Sequence, residues 1–522
     1  MPLSKPRTVL VLLLIIFSGS ILRLNNLSGR SLWTDEFFTL FQASGHGMDV
    51  EVFEDTVSHM DVPPVLKPSD LKVFIENDPG RNIKDVTAGL LKTDTHPPLY
   101  FWAIHLWMII FGDGVFALRF FSVLMGVFSI FLAYKVGERL FGSRAGLFCS
   151  LFTAISPFSV RYSQEARAYS MIMAIGLLSS LFLLKLERDN RSRDALFFSL
   201  STAAGLYTHY FYAFTAIAHF AYFNATHFRD DSRLRKFYLS ALTALLLFSP
   251  WMVCLLIKGY NFADTEWIFG YPGITGKIGD IFLGLAHYCF VLYGFGILWG
   301  LLMLAGALSF VYIAGRGMKD AFTGYRRQSF FCFSLLVIPL LAMLWLDIFQ
   351  HGAFLRQERF WMFSFLGFIP LTGYFLKSGF SRGKITFTIL LACILASSLM
   401  VNRGQCGPAA KDICGWLNSQ SRGKKSAVIV CSKRGAAIPQ SYYLDDGICM
   451  IPVSSREQLI KGVEAGSGVF DQIFIVRHYH PTDNSLLNEP FMELYYIGKD
   501  FSFEKKVNSC GVSASQFVKR AI

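Results

Sequence analysis

Two adjacent carboxylates, Asp35 and Glu36, stand in the run Ser31-Leu32-Trp33-Thr34-Asp35-Glu36-Phe37-Phe38, just past a first apolar stretch. Trp33, Phe37 and Phe38 would hold them in an apolar setting, where desolvation raises a carboxylate's proton affinity and makes it a better base. The plainer reading is a solvated charge pair in a loop. Further along, Thr95-His96-Pro97-Pro98-Leu99-Tyr100-Phe101 places a histidine before two prolines, which fix the backbone and hold His96 in place. The run Arg161-Tyr162-Ser163-Gln164-Glu165-Ala166-Arg167-Ala168-Tyr169 carries three charges between two apolar stretches. Such charges are costly against lipid, so they face a cavity or each other. Glu165 and Arg167 are the site candidates there, set against an Arg–Glu pair that merely stabilises the turn. His209, in Tyr207-Thr208-His209-Tyr210-Phe211, is suited to an interfacial hydrogen bond or to a phosphate contact. Arg356, Glu358 and Arg359 open another apolar stretch, and Arg359 there either snorkels to headgroups or holds an anionic ligand. Asp264 and Trp267 are weaker candidates.

These residues need elements to position them, and the bulk numbers say which kind. The chain of 522 residues is 53% hydrophobic and 16% charged, contains 52 Phe and has a mean hydropathy of +0.42. A soluble domain carries about 25% charged residues and fewer long apolar runs. The net charge of +12 does not point to nucleic acid, because the basic residues sit mainly in short loops between apolar runs. After Lys5-Pro6-Arg7 the first apolar run lacks a small-residue cleavage site and reads as an uncleaved helix.

Basic loops containing Lys135 and Arg144, Arg188 and Arg193, Arg233 and Lys236, Arg316 and Arg327, and Lys377 and Lys384 mark the cytoplasmic side. If all of them lie inside, the apolar segments 97–111 and 278–293 cannot cross and become juxtamembrane or half-inserted helices. The expected spans are 8–24, 114–134, 145–160, 170–184, 195–208, 211–227, 237–257, 295–315, 329–347, 360–377 and 385–401. The fold expected is therefore an all-α polytopic membrane protein of about eleven transmembrane helices, with external juxtamembrane helices and a small C-terminal α/β soluble domain. Residues 1–401 would form the transmembrane domain, with 25–112 as a long first external loop that shows no clear strand or helix pattern. Residues 402–522 would form the external domain, with strands at 427–430 and 472–476 and a helix over 411–419. Its five cysteines, Cys406, Cys414, Cys431, Cys449 and Cys510, are expected to form two disulfides with one thiol over. All the candidate residues fall on the outer side. The cytoplasmic loops hold no Walker pattern, no glycine-rich nucleotide loop and no metal-spaced Cys/His cluster.

Asp35-Glu36 after the first helix, then His96-Pro97-Pro98-Leu99-Tyr100, then Tyr162-Ser163-Gln164-Glu165-Ala166-Arg167-Ala168-Tyr169 resemble bacterial GT-C glycosyltransferases. More narrowly, they resemble the family of protein O-mannosyltransferases and of aminoarabinose transferases acting on lipid A. The likeness spans roughly residues 10–375. It implies a polyprenyl-phosphate sugar donor, a glycan, lipid or protein acceptor, and inverting transfer to a hydroxyl on the outer, periplasmic face of the inner membrane. Asp35 matches the family's base, with Glu36 beside it and Glu165 as a second acidic residue. Arg167, His209 and Arg359 would stabilise the lipid phosphate electrostatically, with His96, Tyr100, Gln164 and Arg356 as further substrate contacts. The family also implies a divalent metal at Asp35 and Glu165, although the loop here reads Gln164-Glu165-Ala166-Arg167 rather than an Asp-rich motif. A transporter or lipid flippase is the rival reading. It lacks the inverted repeat, and the charges cluster at helix ends rather than mid-membrane. A non-catalytic assembly subunit is a third.

Overall fold

A computed structural model describes residues 4–94, 96–258, 274–292, 296–404, 410–431, 437–467, 469–478, 501–509 and 512–520. The candidates Asp264 and Trp267 and the cysteines Cys406 and Cys510 lie outside these. The chain divides into two units, the first made of Met1–Leu27, Thr95–Tyr100 and Leu118–Gln405, the second of Ser28–Asp94, Phe101–Ala117 and Cys406–Ile522.

The first unit is helical, and its long helices fall on the apolar runs of the sequence. Among the described residues, eight are long and apolar enough to cross a membrane: Lys5–Leu24, Val115–Phe141, Tyr169–Asp189, Asp231–Lys258, Gly296–Gly324, Arg326–Phe349, Glu358–Ser381 and Lys384–Val401. The protein is thus a multi-pass membrane protein. Three more expected spans are helices that are shorter: Ser143–Ile155, Ser192–Thr208 and Tyr212–His227. The expected continuous helix over 145–160 is broken. Ser156 is extended, its hydroxyl accepts from the Ser159 N–H at 3.4 Å, and a new helix, Pro157–Ser163, starts on Pro157. A proline has no N–H to give the preceding turn but suits a first helical position, so the break belongs there.

The two segments expected at the membrane surface are short helices. Leu99–Phe111 has 13 residues and Ile274–His287 has 14, about 20 Å each against a hydrocarbon core of about 30 Å.

A buried arginine ties the first helix down. Arg23 is fully enclosed and donates to the carbonyls of Gly19 and Ala154, both at 2.9 Å, and of Thr153 at 2.8 Å. It also donates to the hydroxyls of Ser159 at 2.8 Å and Ser163 at 3.1 Å. Gly126 makes the close approach possible, since a Cβ there would collide with the Ser163 side chain.

The second unit combines short helices with a mixed sheet. The segment expected to be patternless holds helices Thr34–Ala43, Gly47–His59, Pro68–Lys72 and Ile83–Thr93. The last is set by a capping box: Asn82 accepts from the Lys84 N–H at 2.9 Å, and Asp85 accepts from the Asn82 N–H at 2.9 Å. The strands are β1 Ser426–Cys431, β2 Ile448–Val453, β3 Gln472–His478, β4 Phe501–Ser509 and β5 Val512–Lys519. Their order is β2-β1-β3-β5-β4, with β2, β1 and β3 parallel and β5 and β4 antiparallel. Ile429, Ile451, Ile473, Leu459, Val463 and Phe517 form the core between the sheet and the helix Arg456–Ser467.

The expected pair of disulfides is not there: Cys414 and Cys449 are both free thiols. Cys414 is buried on the helix Ala410–Gln420 and packs on the Gln440 carbonyl at 3.7 Å. Burial pushes its thiol up to about 12, so it stays protonated and inert.

Candidate active site

The first unit gathers most of the predicted residues at helix ends. Pro97 and Pro98 are buried and hold the turn that presents His96. Arg167 donates from Nη2 to His96 Nε2 at 3.3 Å. A guanidinium only donates, so that imidazole nitrogen carries the lone pair. The His96 ring stands edge-on to His209, with centroids 6.2 Å apart. His209 sits in the turn between Ser192–Thr208 and Tyr212–His227, and its Nδ1 accepts from the Phe211 N–H at 3.1 Å. That bond fixes the proton on Nε2 and leaves it available to donate. Phe363 and Phe360 enclose the ring at 5.2 and 6.2 Å. Desolvation holds His209 well below the usual histidine range, and the neighbouring His96, Arg167 and Arg359 act in the same direction. Arg359 itself lies over the Phe360 ring at 5.6 Å.

A second chain of charges adjoins this group through the Arg161–Arg167 segment. Glu165 and Arg167 are buried. Arg161 donates from Nε to Glu165 Oε1 at 3.3 Å and from Nη1 to Glu358 Oε2. Glu358 Oε1 in turn lies 3.2 Å from His287 Nδ1. Burial lowers the proton affinity of His287, opposed in part by the Glu358 charge. Neither His287 nor Glu358 stood among the predicted site residues. His287 ends a helix that hydropathy only marks as interfacial, and nothing local to it signals a partner 71 positions away.

The other candidates are placed differently. Gln164 is buried, and its amide donates to three carbonyls at the end of the first helix, Leu22 at 3.2 Å, Arg23 at 2.9 Å and Asn25 at 3.0 Å. Its observed work is to satisfy carbonyls that a helix end leaves open. Tyr100 is buried, 6.0 Å from the Phe121 ring. Arg356 is exposed, and its charge lowers the proton affinity of Asp280, which burial raises.

Asp35 and Glu36 belong to the second unit and differ from each other. Trp33 is the N-cap of the helix Thr34–Ala43, and its N–H donates to Glu36 Oε2 at 3.1 Å. Glu36 is wholly buried and caps the helix, whereas Asp35 is half-exposed in the first turn. Among the described residues no group of three or more His, Cys, Asp and Glu side chains is arranged to hold a metal ion. Glu165 already faces a cation, the Arg161 guanidinium. A carboxylate so paired is a poor ligand for the expected metal ion.

Comparison with known proteins bears on this arrangement. Residues 95–253, the stretch carrying His96, Glu165, Arg167 and His209, match the family of dolichyl-phosphate-mannose-protein mannosyltransferases. The Bacillus subtilis (strain 168) protein YycA, provisionally named a mannosyltransferase, is 30% identical over 104 residues, which are 20% of this chain and 15% of that relative. Among solved structures, ArnT of Cupriavidus metallidurans bound to undecaprenyl phosphate superposes over 98% of both chains, with a TM-score of 0.58 at 11% identity. The chain carries the GT-C fold. The GT-C resemblance drawn from three short motifs is thus supported by a family match over the second and third of them and by a superposition along nearly the whole length. An oligosaccharyltransferase of Archaeoglobus fulgidus also aligns, over 91% of this chain and 69% of its own, at 12% identity and a TM-score of 0.49, too distant to carry an argument.

Proposed function

We propose that the protein is an integral membrane glycosyltransferase. It takes a sugar from a polyprenyl-phosphate donor and transfers it, with inversion, to an acceptor hydroxyl on the outer face of the inner membrane. The observation that carries this reading is the group His96, Arg167, His209 and Arg359, gathered at helix ends within a GT-C fold. A phosphate that departs with the lipid gains negative charge as the glycosidic bond breaks. Two guanidinium groups and the Nε2–H of a neutral histidine are suited to that charge.

In the proposed step, the acceptor oxygen forms a bond to the anomeric carbon as the bond from that carbon to the phosphate oxygen breaks. The bonding electrons leave with the phosphate, and the acceptor's proton passes to the Asp35 carboxylate. Arg161 holds Glu165 and Glu358 and keeps the segment bearing Arg167 in place. The fold of an undecaprenyl-phosphate-bound protein and the match of residues 95–253 to dolichyl-phosphate-mannose enzymes support a lipid-phosphate donor.

The test uses undecaprenyl phosphate as the probe with the purified full-length protein. Arg167→Ala is expected to weaken its binding by tenfold or more, roughly the loss of one charged hydrogen-bonding partner. Asp35→Asn is expected to leave binding intact and to abolish restoration of the product glycan in a deletion strain. Full restoration by Asp35→Asn would remove the base, and unchanged binding by Arg167→Ala would remove the phosphate site.

A further inference from the structure

Within the second unit, the tail that follows the last long helix holds the first loop at several places. Gln458 donates from its amide to the carbonyls of Val57 at 2.7 Å and Met60 at 2.8 Å, at the end of the helix Gly47–His59. Leu66 and Met450 exchange backbone hydrogen bonds of 2.8 and 2.7 Å. A third place is the start of the helix that carries Asp35. The Leu32 N–H donates to the Tyr443 hydroxyl at 2.8 Å, one residue before the Trp33 N-cap. Phe37, fully buried, meets the edges of Tyr442 at 6.0 Å and Tyr443 at 6.5 Å.

The helical period explains why this grip is useful. Residues two apart on a helix point about 200° from one another, so the rings close on the helix face away from Asp35. Phe37 is also the fourth helical residue, where an apolar side chain staples the entry of the chain against a residue ahead of the cap. Here the stapling rings come from a segment some 400 positions later, and one of them also receives the backbone N–H that leads into the cap.

We propose that Tyr443 is a positioning residue for Asp35: its hydroxyl and ring fix the first turn of the Asp35 helix, and the tail thereby serves the transfer step itself. This rests on the reading of Asp35 as the base. The arrangement uses the phenol in both its parts, so the hydroxyl can be removed while the ring is kept.

The experiment compares full-length wild type with Tyr443→Phe, Lys461→Ala and Asp35→Asn. Lys461 pairs with Asp61 and Glu457 at another tail-to-loop contact and serves as the control. Hydrogen exchange over residues 32–38, undecaprenyl-phosphate binding, and glycan restored in the deletion strain are the three readouts. Tyr443→Phe is expected to speed exchange in that turn about tenfold, the scale of one hydrogen bond, and to cut restored glycan by a similar factor. Binding of undecaprenyl phosphate and the midpoint of thermal unfolding should stay at wild-type values. Unchanged exchange, or faster exchange with full restoration, overturns the proposal. So does Lys461→Ala producing the same change, or lipid-phosphate binding and thermal midpoint falling together, because either marks general loosening. Full restoration by Asp35→Asn overturns the base reading and the positioning role with it; loss in Asp35→Asn beside full restoration in Tyr443→Phe overturns only the positioning role.

Discussion

Arg161 is the residue on which the charges of the first unit turn, since it reaches both Glu165 and Glu358. Removing it leaves two carboxylates, one of them buried, without that cation. Arg161→Ala is expected to cost about 2 kcal/mol of stability and to weaken undecaprenyl-phosphate binding as well, read by thermal unfolding and by titration. The double variant with Glu358→Gln should recover part of the stability, because one uncompensated charge goes with it. His209 gives a pH signature. Its folded proton affinity is well below the ordinary histidine value, among His96, Arg167 and Arg359, and His287 is also lowered. In the unfolded chain each takes up a proton near pH 6.5, about the free histidine value. Their contribution is therefore fully present above that pH and falls as acid favours the unfolded state. The thermal midpoint should drop between pH 7.5 and 5.5, and His209→Gln should flatten that drop.

At the scale of elements, the Arg161–Tyr169 segment is held by its ends rather than by its charges alone. Arg23 grips Ser159 and Ser163, and Gln164 takes the last carbonyls of the first helix. Gln164→Ala should therefore lower stability by about 1–3 kcal/mol while undecaprenyl-phosphate affinity changes little; a large loss of affinity with normal stability would make Gln164 a ligand contact instead. Much of this level was legible in the sequence. Hydropathy placed the long helices, but it did not separate Leu99–Phe111 from the expected span at Ser143–Ile155, because both are apolar helices of 13 residues. The break at Ser156-Pro157 was written in the proline but hidden inside an apolar run. The helices of the first loop were hidden because short polar helices have little periodicity, though the Asn82-to-Asp85 capping pattern was a readable signal. That Glu36 caps its helix was not readable, because Trp33 at the N-cap is not one of the residue types that mark a helix start. Nor was the pairing of Glu358 with His287, because it exists only once distant helices meet. The tyrosines that grip Phe37 were missed for the same reason.

For the whole molecule, the alternation of basic and apolar segments sets which loops face the cytoplasm. Reporter fusions after residues 190, 230, 325 and 383 should report the cytoplasm, and a fusion in the tail should report the outer side. A cytoplasmic tail would overturn the orientation while leaving the GT-C fold untouched. The second unit also has a property that bears on handling the protein. A five-stranded open sheet has two edges, and an unguarded edge pairs with any extended chain it meets. Here β2 is bridged by Leu66 on its free side. β4 carries the exposed charges of Glu504, Lys505 and Lys506, with a bulge between Phe503 and Lys505 that spoils its register. Neither edge offers a clean ladder to a stranger. When the protein is stripped from its membrane, the sticky surfaces among its described residues are the greasy helix faces that detergent covers rather than the sheet edges.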